Sequence, residues 1–281
     1  MKINNTTRKS ESGFTLIELS IVLVIIGLIV GGVLVGQDLI KAAEVRATIT
    51  QVEKYNTSVR TFQGKFGGLP GDLTHATALE YGLKSITGAT GGDGNGIIET
   101  TTAGVIGLAG EPLLFWNELS VAGMVDGSYG TGMGFATTTA GDTVAATTSA
   151  TLNNFIPAAK MGRANSFTVG STGGTNYYVL GNIGQATLVL NGVYAAATSE
   201  GLSPVEANNI DKKIDDGFPA TGTIRAMSTV AAALSATTLA TPNPVSNAGA
   251  NTTTCVNTTP DPDTYQLTAT TPRCALRIQF N

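Results

Sequence analysis

The feature that most constrains the fold is a long apolar stretch close to the N-terminus. From Leu19 to Gln37 there is no charged residue, and Lys2, Arg8 and Lys9 precede the stretch. As an α-helix, the segment 14–35 would extend about 33 Å, which matches a hydrocarbon core of about 30 Å. The sequence therefore predicts a helix that can cross a membrane.

A single acidic residue, Glu18, lies at the edge of this stretch. A carboxylate in an apolar helix is costly, and it indicates a functional role with a partner of opposite charge. The small residue Gly13 lies before the stretch, whereas a secretory signal peptide carries its small-residue cleavage site after it. Cleavage after Gly13 would keep the helix and create a free amine on Phe14, which shares a helix face with Glu18 at i,i+4. The alternative is an uncleaved membrane anchor that tolerates one acid near its end.

The run Gly13-Phe14-Thr15-Leu16-Ile17-Glu18, after a short basic leader, resembles the N-terminus of the type IV prepilin and type II secretion pseudopilin family. The resemblance implies cleavage after Gly13 by a prepilin peptidase, which is also the methyltransferase, and N-methylation of Phe14. It also implies that Glu18 helps to dock each subunit into a helical filament. Many members carry a helix-breaking proline several turns into this helix, and this chain has glycines there instead.

The resemblance implies an α+β, pilin-like fold in which a long N-terminal helix packs on an antiparallel sheet, here with extra short helices and loop insertions. It implies a structural subunit of a type IV pilus or a type II secretion pseudopilus. Such a subunit waits as a single-pass protein in the inner membrane and then enters a periplasmic or cell-surface filament, with copies of itself or with other pilins, at an inner-membrane assembly platform. The alternative is a minor tip pilin that acts as an adhesion or binding module, and copy number distinguishes the two.

The apolar pattern continues beyond the membrane segment as an amphipathic helix. Apolar side chains recur at steps of three and four residues, at Ala42, Val45, Ile49, Val52, Tyr55, Val59 and Phe62. Gly64 is the predicted end of the helix. The predicted organisation is a leader at 1–13, a membrane or filament-core half of the helix at 14–36, an amphipathic half at 37–63 and a globular pilin-like head at 64–281.

Turn and capping signals predict further elements in the head. Asp72 is the expected cap of a short helix over 73–81, and Pro112 is expected to begin a second helix that closes at Gly123. Strands are expected within 177–180 and 186–190. Ser203-Pro204-Val205-Glu206 is a capping box that predicts a further helix, and the alternation in 274–280 predicts a last strand.

The two cysteines, Cys255 and Cys274, lie near the C-terminus. A chain exported through a membrane meets an oxidising compartment, and a disulfide between them would contribute about 3 kcal/mol by closing a loop. Two free thiols are the alternative. The resemblance favours the bridge, because many pilins staple their C-terminal region with one disulfide.

A cofactor is not expected, with calcium as the one candidate. Asp93, Asn95 and Glu99 cluster in a glycine-rich loop, and oxygen ligands on a flexible turn suit Ca²⁺. The spacing does not match an EF-hand, because Ile98 stands where the loop glycine belongs. A polar turn without metal is the alternative. Asp261 and Asp263 form a second acidic pair with the same two interpretations.

Enzymatic chemistry finds little support in the sequence. His75 is the one histidine, so a Ser/His/Asp triad would have to use it, and no nucleophile-elbow motif is present. A zinc site needs more Cys and His ligands than the chain has. The net charge of −4 does not suit non-specific binding to nucleic acid, because that binding depends on neutralising phosphates. The sequence therefore predicts no catalytic residue.

Overall fold

The computed structural model describes residues 13–83, 92–98, 110–130, 136–138, 141–143, 153–163, 165–182, 201–228, 255–257, 263–269 and 274–280. The chain divides into two compact units, Met1–Ala43 and Glu44–Asn281. The predicted strand at 186–190 lies outside the described residues.

The first element, α1, spans Leu16–Phe66. In its C-terminal part the buried positions follow one another at steps of three and four residues, as expected for one helix face; they include Val45, Thr48, Val52, Tyr55, Val59, Phe62 and Phe66. The amphipathic helix is thus confirmed, although Ala42 is exposed.

The predicted end of α1 at Gly64 is wrong by one turn. Phe66 is buried and its ring packs 4.5 Å from that of Phe62, which extends the apolar face past Gly64. The helix stops where Gly67 takes a φ of 79° and its N–H donates to Gln63 O at 2.9 Å. Glycine adopts this left-handed conformation without a steric penalty, so Gly67 ends the helix.

Three shorter helices follow: α2 at His75–Glu80, α3 at Glu111–Val121 and α4 at Pro204–Ile214. The capping box of α4 is confirmed, since Glu206 N–H donates to Ser203 Oγ at 3.3 Å and Ser203 N–H donates to Glu206 Oε2 at 2.9 Å. The expected cap of α2 is wrong. Thr74 caps that helix by accepting from Thr77 N–H, and Asp72 has a different partner, described below.

The strands are β1 (Ala136–Thr138), β2 (Gly141–Thr143), β3 (Asn165–Thr172), β4 (Thr175–Asn182), β5 (Ile224–Ser228), β6 (Val256–Asn257), β7 (Thr264–Tyr265) and β8 (Cys274–Gln279). The main sheet has the order β3-β4-β8-β5, and each neighbouring pair is antiparallel. Strands β1 and β2 pair separately, as do β6 and β7. The α+β, pilin-like layout of a long N-terminal helix, an antiparallel sheet and short helices is confirmed.

Strand β3 was not expected from the sequence. It joins β4 through Gly173 and Gly174, which have φ values of 58° and 76°. A two-residue turn with both residues at positive φ matches the twist of a β-hairpin and favours a Gly-Gly pair. The signal for this hairpin was therefore present in the sequence.

An aromatic cluster fills the space between α1, α3 and the main sheet. The Tyr55 ring on α1 lies 4.8 Å from that of Trp116 on α3 and 5.3 Å from that of Phe167 on β3. On the same face of the sheet, Tyr178 stacks on Phe280 at 4.3 Å. Each of these rings is at least 95% buried, so the cluster contributes much of the apolar burial of the head.

Polar side chains of α1 also hold the head to the helix. Gln51 Nε2 donates to Ala158 O at 2.9 Å, and its Oε1 accepts from Lys160 N–H at 3.0 Å. Ser58 Oγ donates to Met124 O at 2.8 Å. Gln51 thereby pairs with a short stretch of backbone as a neighbouring strand would.

A disulfide joins Cys255 to Cys274, with a Cα–Cα distance of 5.1 Å. Cys274 opens β8 in the main sheet, and Cys255 precedes β6. The bridge therefore ties the small β6–β7 ladder to the sheet.

Candidate processing site and acidic loops

The residues predicted for cleavage and methylation precede the first helix. Gly13 and Phe14 have no regular secondary structure, and Phe14 is 93% exposed. An exposed segment without regular secondary structure is accessible to a protease. The leader itself, residues 1–12, lies outside the described part of the chain.

Glu18 closes the first turn of α1. Its Oε2 accepts from both the N–H and the Oγ1 of Thr15 at 2.8 Å, and Glu18 N–H donates to Thr15 Oγ1 at 3.3 Å. This reciprocal arrangement is a capping box, which supplies partners for groups left open at a helix N-terminus. Glu18 therefore has a partner within its own chain, Thr15, which lies two residues after the predicted cut. Pairing of Glu18 with a Phe14 amine stays a prediction.

The apolar part of α1 meets the requirement for a membrane span. Within α1, a stretch of 18 residues is long and apolar enough to cross a membrane, and none of this stretch is buried in the protein. Large apolar side chains from Leu16 to Val35 are at least half exposed. A helix with apolar side chains on all faces and no protein cover needs lipid or other helices around it.

A loop in the head closes around Asp72. The Asp72 Oδ1 accepts from the N–H groups of Gly94 and Asn95 at 2.9 and 3.2 Å, and its Oδ2 accepts from Gly96 N–H at 2.8 Å. Asp72 itself is 3% exposed. Successive backbone N–H groups that converge in this way form a nest for an anion, and here the anion is a side chain of the same protein.

Glycines allow the loop to approach Asp72 so closely. A Cβ on Gly92 would lie 2.1 Å from the carbonyl carbon of Asp72, and Gly94 and Gly96 have φ values of 77° and 83°. The amide of Asn176 on β4 then fixes the end of the loop, because it accepts from Ile98 N–H at 2.8 Å and donates to Gly96 O at 2.9 Å. The glycine-rich sequence is therefore required by the fold.

Further carboxylates surround this loop. Glu118 on α3 is 2% exposed and accepts from Gly71 N–H at 2.7 Å. Burial, and then the negative charge of Asp72, raise the pKa of Glu118 to about 7. Burial also raises the pKa of Asp72, against the opposing effect of its N–H donors. The Asp93 N–H donates to Glu111 Oε1 at 3.2 Å.

Among the described residues, Asp72, Asp93 and Glu111 offer carboxylate oxygens within 4.8 Å of one another, a spacing compatible with a metal ion. Of the residues predicted for calcium, Asp93 and Asn95 bond to each other, with Asn95 N–H donating to Asp93 Oδ1 at 3.0 Å. Glu99 lies outside the described residues. Calcium at Asp93, Asn95 and Glu99 stays a prediction, and so does calcium at Asp263, whose neighbour Asp261 is also outside them.

A second group of neighbouring carboxylates lies at the end of α4 and consists of Asp211, Asp215 and Asp216. These carboxylates also accept hydrogen bonds from their own chain. Asp215 Oδ2 accepts from Ile224 N–H at 3.0 Å, and a Cβ on Gly222 would collide with that oxygen. Asp211, fully buried, accepts from Tyr265 Oη at 2.7 Å. Burial is the main reason why the pKa of Asp211 rises to about 6. These carboxylates organise turns by accepting hydrogen bonds.

Sequence reasoning missed Asp72 as the centre of a loop and Glu118 as its buried neighbour. The available signal was the Pro70-Gly71-Asp72 turn together with alternating glycines at 92, 94 and 96. His75 lies at the exposed start of α2, and none of the acidic groups above includes it.

Comparison with known proteins supports the N-terminal assignment. Residues 8–34 match the family model described as the prokaryotic N-terminal methylation motif. No curated protein and no solved structure matches the chain. The matched region contains Gly13, Phe14 and Glu18 and leads directly into α1. The chain therefore has the N-terminal motif and the α+β layout of a type IV pilin-like or pseudopilin-like precursor.

Proposed function

We propose that this protein is a structural, non-enzymatic subunit of a type IV pilus or a type II secretion pseudopilus. The observation that carries the proposal is the methylation motif at 8–34, which runs into a helix with an exposed apolar surface. A helix of this kind is stable first in lipid and later among the equivalent helices of a filament, because both surroundings remove its apolar side chains from water.

In the proposed maturation, the prepilin peptidase cuts after Gly13 and methylates the new amine of Phe14. The cut places a cation on Phe14, four residues before Glu18 and just before the start of α1. The amine of the same subunit or of a neighbour then pairs with the carboxylate. A buried carboxylate without such a partner carries a large desolvation penalty, so the pairing would select one register between neighbouring helices.

The proposed locations follow from this sequence of events. The precursor is held in the inner membrane by residues 14–36, and the head at 64–281 lies on the periplasmic side. The assembly platform moves the subunit into a filament in the periplasm or at the cell surface. The partners are other pilin subunits, of the same or of related chains.

Mass spectrometry of the native protein tests the proposal directly. The expected species consists of residues 14–281 with one methyl group on the Phe14 nitrogen. A matched variant, Gly13→Val, keeps the helix but removes the small residue at the cut, and it should retain the leader. A native chain that begins at Met1, or that begins after the apolar stretch, would contradict the proposal.

A further inference from the structure

Two arginines face each other in the main sheet of the head. Arg225 on β5 is the direct antiparallel partner of Arg277 on β8. Directly opposed side chains lie about 5 Å apart at Cβ, and like charges in this position destabilise a sheet. An arrangement that brings two permanent positive charges together therefore calls for an explanation.

Arg277 is the more unusual of the two. It is 5% exposed, and its buried Nε–H has no hydrogen-bond partner. Its guanidinium lies over the Tyr177 ring, 5.0 Å from the centroid. Burial, and also the charge of Arg225, lower its pKa. A guanidinium nevertheless remains protonated in a protein, so a positive charge is held in a poorly solvated position.

Among the described residues of the head, no ion pair involves either arginine, although Asp215 accepts from the N–H of Ile224 beside Arg225. The ion pairs of this part of the chain are Lys54 with Asp126 and Arg163 with Glu206. Beside Arg277 in the sheet, the cross-strand partner on β4 is Val179, whose own partner on β3 is Thr168. These neighbours are apolar or neutral, so the row from β3 to β5 carries two cations and no acid.

We propose that Arg225 and Arg277 form a binding site for an oxyanion, namely a carboxylate or phosphate group. Two guanidinium groups at directly opposed positions of neighbouring strands offer several N–H donors, which suit a ligand with two or more oxygens. The Arg225 Nε–H also donates to Gly222 O at 3.4 Å. The anion would pair with the two guanidinium groups and neutralise the repulsion across the strand pair. The contact with the Tyr177 ring restrains the Arg277 guanidinium before the ligand arrives, which lowers the entropy cost of binding.

The group has two possible sources: an anion free in the medium, or an acidic side chain of a second copy of this acidic chain. The experiment uses the full chain in detergent micelles, with the fluorescence of Trp116, the one tryptophan and fully buried, as the probe of thermal unfolding. Phosphate and acetate are titrated separately against chloride at equal ionic strength. The dilution dependence of the particle mass is measured in parallel.

A free anion as the ligand predicts a saturable rise in melting temperature with phosphate or acetate. A side chain of a second copy predicts self-association that depends on Arg225. Arg225→Gln, at a partly exposed position, should lower the apparent affinity for the anion or for the second copy at least about tenfold, as expected for the loss of charge-assisted hydrogen bonds. Arg277→Lys keeps the charge but loses the paired donors and should weaken it similarly.

Arg46→Gln is the matched control, because Arg46 is exposed on α1 and its loss removes the same charge. It should leave both effects unchanged. The proposal is overturned if neither anion exceeds chloride and the particle mass does not depend on Arg225. It is also overturned if the Arg225→Gln and Arg46→Gln chains respond equally.

Discussion

The carboxylate of Asp72 accepts the backbone N–H of Gly96 at 2.8 Å across 24 residues of chain. Together with the N–H groups of Gly94 and Asn95, this contact closes the loop at 92–98 onto the turn that follows α1. We expect Asp72→Ala to lower the free energy of unfolding by about 3 kcal/mol, because three N–H groups lose their acceptor. Urea unfolding followed by Trp116 fluorescence measures the change.

Asp93→Ala is the control for this substitution, because Asp93 lies in the same loop but is exposed. Removal of the Asp93 carboxylate should lower the free energy of unfolding by less than half as much as Asp72→Ala does. Equal losses for the two variants would show that Asp72 does not organise the loop.

Gly92 is a position where the fold has no room for a side chain. In Gly92→Ala the new Cβ would meet the backbone of Asp72 at 2.1 Å, so the loop must move away and give up its N–H contacts with that residue. We expect faster proteolysis within the loop at 92–98 than in the wild-type chain. Gly31→Ala, where no atom lies within 4 Å of the added Cβ, should be cleaved at the wild-type rate; a stable Gly92→Ala chain would contradict the loop geometry.

Glu118 makes the stability of the head depend on pH. Its pKa is about 7 in the folded chain and near the ordinary value of 4.5 when unfolded, so the folded state binds more protons between these values. Stability contributed by this group is therefore complete at low pH and declines as the pH rises through about 7. Glu118→Gln keeps an acceptor for Gly71 N–H, and it should melt several degrees above the wild-type chain at pH 8.

The difference between Glu118→Gln and wild type should disappear toward pH 5, where the wild-type carboxyl is neutral. Glu80→Gln, an exposed change on α2, should shift the melting temperature little at either pH. A wild-type advantage at pH 8 would mean that the charged form of Glu118 is the stabilising one.

Glu18 should be needed for assembly and not for folding. We expect Glu18→Ala to leave the melting temperature of the head unchanged, since Glu18 contacts Thr15 at the start of α1. The same variant, as the sole copy of this chain, should fail to enter filaments, because no carboxylate is present to pair with the Phe14 amine. Electron microscopy with antibodies against the head counts the incorporated subunits, and normal incorporation would contradict the proposed register.

The disulfide should stabilise the C-terminal part of the head. Reduction, or replacement of both Cys255 and Cys274 by serine, should lower the free energy of unfolding by about 3 kcal/mol. Denaturation in the presence and absence of reductant measures it, with the double-serine chain as the control that reductant should not affect. No difference between the oxidised and reduced chains would show that the β6–β7 ladder is held by its other contacts.

Local patterns predicted those elements in which local chemistry and packing agree. The apolar steps from Val45 to Phe62 marked the buried face of α1, and Ser203 with Glu206 marked the start of α4. The end of α1 was misplaced because Gly64 has space in a helix and the buried Phe66 favours another turn. Local helix propensity predicted an end of α1 at Gly64, whereas tertiary packing of Phe66 determines where the helix ends.

Contacts between distant segments were beyond the reach of local patterns. The sequence predicts Asp72 as a helix cap because it precedes an apolar run. In the structure its carboxylate oxygens accept from N–H groups more than twenty residues away. The opposition of Arg225 and Arg277 likewise depends on the register of β5 with β8. Such pairings become visible only when the strand order is known.

The hydrogen bonds that Gln51 and Ser58 make to the head have a mechanical consequence. Both side chains bond to main-chain groups, at Ala158, Lys160 and Met124, and the aromatic cluster lies alongside them. In the proposed fibre, with α1 at its core, tension would be divided among several contacts arranged along the helix. Detaching the head would then require breaking them together, whereas a single attachment point could be peeled away.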